Sequence, residues 1–187
     1  EKFNTLNAER KDIENYVLLQ AIEQVESQAQ EYPIAFAYGD DWHQGVIGIV
    51  AGKLKERYNV PSFVMSIEPD EVKGSARSIE GIDLGALIIA AKEKGVITHG
   101  GGHIMAAGFS LTTEQIPEFK KFVGEYVEER LGKEKISPVL NIDIALSLSG
   151  ITEEFANSLA MLEPYGAGNP EPLIMLKNIN INRPRLV

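Results

Sequence analysis

Three short stretches collect residue types suited to holding an anion. The first is Gly100-Gly101-Gly102-His103, followed by Met105-Ala106-Ala107-Gly108. Glycine lets the backbone approach a ligand closely, and consecutive exposed N–H groups in such a loop can form an anion nest. His103 sets a side-chain donor beside it. No Lys-Ser/Thr follows, so this is not a Walker loop. The alternative is a tight turn with a packed histidine. The second stretch is Lys73-Gly74-Ser75-Ala76-Arg77-Ser78. A guanidinium flanked by two hydroxyls suits a phosphate, because arginine presents a bidentate fork and serine adds donors. The alternative is a solvated strand end. The third runs from Trp42-His43-Gln44-Gly45 through Gly48 to Ala51, at a strand-to-helix junction. Helix N-termini attract anions through free N–H groups and the dipole. His43 stands at that entrance; alternatively Trp42 is core and His43 a cap.

Other chemistries lack their parts. The chain has no cysteine, which removes disulfides, cysteine-ligated zinc, iron–sulfur clusters and a thiol nucleophile. His99 and His103 are four apart, but the glycines between them exclude a regular helical ligand pair, and no acidic cluster lies beside them. No metal site is expected in this chain. No Ser-His-Asp arrangement or closely spaced carboxylate pair can be argued. The sequence offers phosphate-binding parts without a complete engine for hydrolysis.

These residues need elements to position them. Leu6, Ile13, Val17, Ala21 and Val25 recur at near-helical spacing, which predicts an amphipathic helix over about Thr5–Gln30. Pro33 ends it, Ile34–Tyr38 reads as a strand, and Gly39-Asp40-Asp41 as a turn. Val46–Tyr58 is a second helix. Ser62–Ile67 and Val72–Ser78 are strands about a Pro69-Asp70 turn. Asp83 caps a helix from Leu84 to about Lys94, closed by Gly95. Gly100–Gly102 is read as a loop and Met105–Leu111 as a strand. A helix from Thr112 or Thr113 to Leu131 follows. The alternation indicates an α/β class (α+β being the alternative), with a central mixed sheet flanked by helices. Beyond a linker at Gly132–Ser137 the texture changes: a strand at Val139–Leu146, a short helix at Glu153–Leu162, and strands suggested by Ile179, Ile181 and Val187.

The chain of 187 residues carries 18 basic and 27 acidic side chains, a net charge of −9. Taken alone, this argues against a general nucleic-acid binder. The acidity lies at the ends, however. Residues 1–41 hold 3 basic and 9 acidic side chains, residues 42–110 hold 7 of each, and residues 111–187 hold 8 and 11. The neutral middle, which contains all three stretches, leaves room for a local phosphate site. No apolar run is long enough to span a bilayer and no signal peptide is visible, so no membrane partner is expected and a cytoplasmic location is. The first residue is Glu1 rather than Met, so the chain is read as a fragment.

Together the three stretches, in this order, resemble the RecJ family of single-strand-specific DNA exonucleases, within the DHH phosphodiesterase superfamily. Leu6-Asn7-Ala8-Glu9-Arg10 is similar to the family's connector helix. The segment from Leu162-Glu163-Pro164-Tyr165-Gly166 to Pro172 looks like the start of its OB-fold domain. The resemblance implies a connector helix over 1–32, a DHH-associated substrate-binding domain over 33–132 and a partial, β-rich OB-like domain over 138–187. It further implies that a preceding DHH domain, whose Asp-His-His signature this chain lacks, binds Mn²⁺ or Mg²⁺. The fragment by itself would then be inactive and need no cofactor of its own. The partners implied are single-stranded DNA and that upstream domain, in DNA repair and recombination, with 5′-to-3′ digestion. By the same resemblance Arg77, Ser75 and Ser78 contact phosphates. Gly100, Gly101, Gly102 and His103 face the scissile phosphate or its neighbour, His103 in a supporting catalytic role. His43, Gly45 and Lys53 border the same cleft, Lys53 standing where the family often has Arg.

Other classes share parts of the pattern. Smaller DHH phosphodiesterases of short oligonucleotides or cyclic dinucleotides carry a similar glycine-histidine loop, but normally end soon after it. The C-terminal domain of alanyl-tRNA synthetases, a non-catalytic RNA-binding module, has a related glycine-rich loop. A domain serving only as an interaction surface is the remaining alternative.

Overall fold

The structure is a computed structural model that describes residues 2–27, 31–132 and 140–180. The chain divides into two compact units, Glu1–Ser137 and Pro138–Val187.

In the first unit, helix α1 (Lys2–Ser27) leads into strand β1 (Ala35–Asp40). It starts before the expected Thr5, and its expected end at residues 28–30 lies outside the described residues. The expected Gly39-Asp40-Asp41 turn is tighter than the sequence suggested. Gly39 and Asp40 complete β1, and Asp41 alone turns the chain, at φ 54°. Glycine is required at 39, because a Cβ there would overlap the Trp42 indole. Helix α2 (Gln44–Tyr58) ends at Asn59 in the left-handed region. Strands β2 (Ser62–Ile67) and β3 (Val72–Arg77) form a hairpin. Helix α3 (Leu84–Glu93) is capped by Asp83, whose carboxylate accepts the Ala86 amide at 3.0 Å. Strands β4 (His99–His103) and β5 (Ala106–Leu111) form a second hairpin. Helix α4 (Ile116–Leu131) follows a short 3₁₀ turn at Thr113–Gln115.

The sheet order is β1-β2-β3-β5-β4, with β1 and β2 parallel and the other pairs antiparallel. Side chains alternate between the two faces. On one face Phe36, Phe63 and Phe109 meet α3 and α4, with Phe109 stacked at 4.6 Å on Phe119. On the other, Ala35, Ala37 and Val64 lie under α2, with Val17 and Ala21 of α1 packed into the same cluster. Between α1 and α2 the carboxylate of Glu14, 5% exposed, is clamped by Arg10 and Lys53. This second face is covered only in part: α2 packs over β2 and β3, while alternate residues of β4 and β5 are open to solvent.

In the second unit, β6 (Ile144–Leu146) pairs in parallel with β7 (Ile174–Leu176), and α5 (Glu153–Ala160) is capped by Thr152. The expected strand at Val139–Leu146 is thus shorter among the described residues. Ile179 follows β7 instead of lying in a strand, while Ile181 and Val187 lie outside the described residues. No helix among the described residues is long and apolar enough to cross a membrane.

Candidate nucleic-acid interface

Strand β3 decides which residues of the Lys73–Ser78 stretch can meet a ligand. Val72 and Ala76 point into the aromatic core. Lys73, Ser75 and Arg77 therefore point to the other face, on which α2 sits. The strand register extends each of them into a row across the open part of the sheet. Arg77 is paired with Ala106 and then His103; Ser75 with Gly108 and then Gly101; Lys73 with Ser110 and then His99. Gly101, Gly108, His99 and His103 are all exposed. The result is a bare floor of small residues, with Arg77 and Lys73 on the side nearer α2 and two histidines on the outer strand.

The Arg77 side chain is held in place locally. Its Nη1 donates to Ser75 Oγ at 3.2 Å and to the Ala76 carbonyl at 2.9 Å. Gly48 of α2 lies against the pair: a Cβ there would come within 3.1 Å of both Arg77 Nη2 and Ser75 Oγ. Among the described residues Arg77 has no carboxylate partner, whereas Lys73 is paired with Glu71 at 3.1 Å. That contact, with a second hydrogen bond from Ser110, holds the Glu71 carboxyl below its ordinary range, and Glu71 in turn raises the Lys73 ammonium.

The glycine triplet is not a loop. Gly100, Gly101 and Gly102 lie within β4, and none adopts a positive φ, so the alternating backbone that curls into an anion nest is not formed. Their roles differ. A Cβ at Gly100 would strike Ile88 and Ile97, and one at Gly102 would strike Ala106 and Ala107. One at Gly101 would meet nothing within 4 Å, and one at Gly108 only the Gly74 carbonyl, at 3.9 Å. Packing thus accounts for the outer two glycines of the triplet and leaves Gly101 and Gly108 as open floor. The turn itself is Ile104-Met105, whose carbonyls accept the Leu84 and Ser78 amides, each at 3.0 Å.

The other expected site residues have structural engagements of their own. Ser78 is fully buried, and its hydroxyl donates to the Ile82 carbonyl at 2.7 Å, so it is not on the face with Ser75 and Arg77. His43 caps α2: its Nδ1 accepts the Gly45 amide at 3.0 Å, which leaves that amide satisfied. Trp42 is core, and its indole N–H donates to Gln20 at 2.8 Å. Lys53 is engaged by Glu14 on the seam between α1 and α2. The sequence places Lys73 and Gly108 inside the named stretches and raises His99 only as a metal ligand, but it assigns none of them, nor Ser110, to the site. The period of two along β3, β5 and β4 was the signal that could have found them. Among the described residues no group of three or more histidine, aspartate or glutamate side chains could hold a metal ion.

Comparison with known proteins bears on this arrangement. Residues 31–129 match the DHHA1 domain family, and residues 142–187 match the RecJ OB domain. The chain is 34% identical over 179 residues to the single-stranded-DNA-specific exonuclease RecJ of Bacillus subtilis, covering 95% of this chain and 22% of that protein. It is likewise 34% identical over 179 residues to RecJ of Escherichia coli, covering 92% of this chain and 31% of that one. Among solved structures it resembles Thermus thermophilus RecJ in complex with Mn²⁺, with a TM-score of 0.79 and 29% identity over 94% of this chain and 25% of the other. The Mg²⁺ complex of the same protein gives a TM-score of 0.77 at 30% identity, over 92% of this chain and 26% of the other. The chain thus spans less than a third of the length of these relatives. Sequence and fold agree, and the chain belongs to the DHHA1 family and is homologous to the RecJ single-stranded-DNA-specific exonucleases.

Proposed function

We propose that this chain is the substrate-gripping part of a single-strand-specific DNA exonuclease acting 5′ to 3′ in the cytoplasm, in DNA repair and recombination. The observation that carries the proposal is the Arg77–Ser75 pair. The guanidinium is locally positioned, free of any carboxylate among the described residues, and set at the edge of an open floor. Arginine and serine donors hold a phosphodiester without reading a base, which suits digestion of any sequence. Gly101 and Gly108 let the sugar-phosphate backbone lie close to the sheet, and His103, in the row of Arg77, donates to a neighbouring or scissile phosphate oxygen. Mg²⁺ or Mn²⁺, the ions bound in the similar Thermus thermophilus structures, and the hydrolysis that depends on them belong on this reading to a DHH domain upstream in the whole protein, and this chain alone is inactive.

The test is a low-salt fluorescence anisotropy titration with a 5′-phosphorylated single-stranded oligomer, with matched duplex and tRNA as competitors. Single-strand preference that fades in Arg77→Ala supports the reading, whereas preference for tRNA or duplex refutes it. In the protein that includes the DHH domain, His103→Ala should lower turnover more than affinity. A loss of affinity alone would reduce His103 to a binding contact.

A further inference from the structure

One buried polar group is left over. The Ser66 hydroxyl, at the C-terminal end of β2, is fully buried and has no hydrogen-bond partner among the described residues. Such a group costs free energy unless something satisfies it. Ser66 lines a cavity of about 550 Å³, whose walls include His43 and Gln44 at the start of α2, together with Asp41 and Glu68. The cavity is open to solvent on one side, so a group entering it would be covered only in part.

The walls restrict the occupant. No lysine or arginine lines the cavity, and two carboxylates do, so an isolated phosphate is disfavoured. The walls offer the Ser66 hydroxyl and the start of α2, the positive end of its dipole, which call for an acceptor on the ligand. They also offer Asp41 and Glu68, which call for a donor, and Gln44 already donates its side-chain amide to Glu68. A flat group with an acceptor beside a donor satisfies both, and the Watson–Crick edge of a nucleobase has that form. The serine hydroxyl can rotate to donate or accept, so the cavity need not choose among bases. The place also fits. Ser66 is paired with Lys73, and Val64, two residues earlier, with Ser75. Along the strand this is about 7 Å, a separation that the sugar of one nucleotide can bridge.

We propose that this cavity receives one unpaired nucleobase of the strand whose phosphate is held by Arg77 and Ser75. The inference rests on the single-strand-binding function proposed above. It gives that function a local cause, since in a duplex the Watson–Crick edge is already occupied.

The test uses 5′-phosphorylated single-stranded oligomers in which one abasic site is moved along the sequence. They are titrated against the wild-type chain, Ser66→Ala and Arg77→Ala, with thermal melting of each protein. In the wild type one abasic position should weaken binding about 5- to 20-fold more than the others. Ser66→Ala should bind the intact oligomer about 3- to 10-fold more weakly and lose that position dependence. Its melting temperature should be unchanged or higher, because an unpaired buried hydroxyl has been removed. Equal sensitivity at every abasic position overturns the inference, as does a Ser66→Ala profile identical to wild type. A lower melting temperature with unaltered binding also overturns it, because the hydroxyl would then be bonded to a structural water. If binding depends on Arg77 but on no particular base, this inference fails while the phosphate site stands; no binding to any oligomer overturns both.

Discussion

Replacing Arg77 separates phosphate binding from structure. The guanidinium is half-buried, bonded only to Ser75 Oγ and the Ala76 carbonyl among the contacts described, and in no ion pair with a described carboxylate. Arg77→Ala should therefore change stability by about 1 kcal/mol, since both acceptors are left to solvent. Its loss from a bound phosphate should cost about 1.5–3 kcal/mol, the range for a charged hydrogen bond, which raises Kd by about 12- to 160-fold. Because a phosphate contact releases counterions, the slope of log K against log salt should flatten by about 0.7 for a single strand. Arg77→Lys keeps the charge and loses the fork, so the slope should hold while Kd rises by a smaller factor. Gly48→Ala supplies an orthogonal check. Its Cβ would come within 3.1 Å of both Arg77 Nη2 and Ser75 Oγ, so affinity should fall although alanine favours the helix. Anisotropy titrations at several salt concentrations, with thermal melts of each variant, read all of these. An Arg77→Ala protein with wild-type Kd and slope would refute the phosphate site. Binding lost only in step with melting would refute the separation from structure.

The two glycine classes should behave in opposite ways. Gly102→Ala would force a Cβ into Ala106 and Ala107 and should lower the melting temperature; Gly101→Ala has open space and should fold at least as stably, yet weaken DNA binding. Ser78→Ala removes a buried donor to the Ile82 carbonyl and should cost about 1–3 kcal/mol in a denaturant melt, with no effect on the folded protein's affinity for DNA. Glu14 should contribute a pH-dependent increment of stability. Its carboxyl is held below the ordinary 4.5 by the Lys53 hydrogen bond first and Arg10 next, against a burial that pushes it up. A lowered native value means that this increment is complete above about 4.5 and is lost as pH falls through the native value. Wild type should thus lose melting temperature more steeply than Glu14→Gln on acidification below that point. Parallel curves for the two proteins would remove Glu14 from the account.

Elements with a strong local signature were legible in the sequence. Asp83 as a cap, Gly95 as a stop and the apolar period of α1 each specify structure within a few residues. The Gly100–Gly102 triplet misled, because glycine weakens a strand and therefore suggests a loop. Here Ile88, Ile97 and Ala107 press so closely on β4 that only glycine fits at 100 and 102. That information belongs to residues brought near by folding. The same holds for Ser78. It adjoins Arg77 in sequence, but the alternation of the strand turns it to the buried side, where the Ile82 carbonyl takes its proton. Conversely, Lys73 and His99 share a row only because β5 lies between β3 and β4 and Ser110 is paired with both. A linear reading finds the motif but not the face on which it acts.

The charge distribution then constrains how such a face can work. A chain with a net charge of −9 repels a polyanion overall. At physiological ionic strength that repulsion is screened beyond about 8 Å. What remains is local: Arg77 without a carboxylate partner among the described residues, Lys73 half-neutralised by Glu71, and two histidines on the outer strand. Few phosphates can be neutralised by such a set, so on the proposed reading its affinity should be low and its salt dependence shallow, about 0.7 in slope per phosphate contact. Its strength is positional. The guanidinium is held by Ser75 and the backbone before any ligand arrives, and the floor at Gly101 and Gly108 has no side chain to move aside. Under the function proposed above, a surface that binds weakly but fixes register suits an enzyme that must release and advance its strand after each cleavage. A high-affinity basic patch would hold the strand in place and oppose that advance.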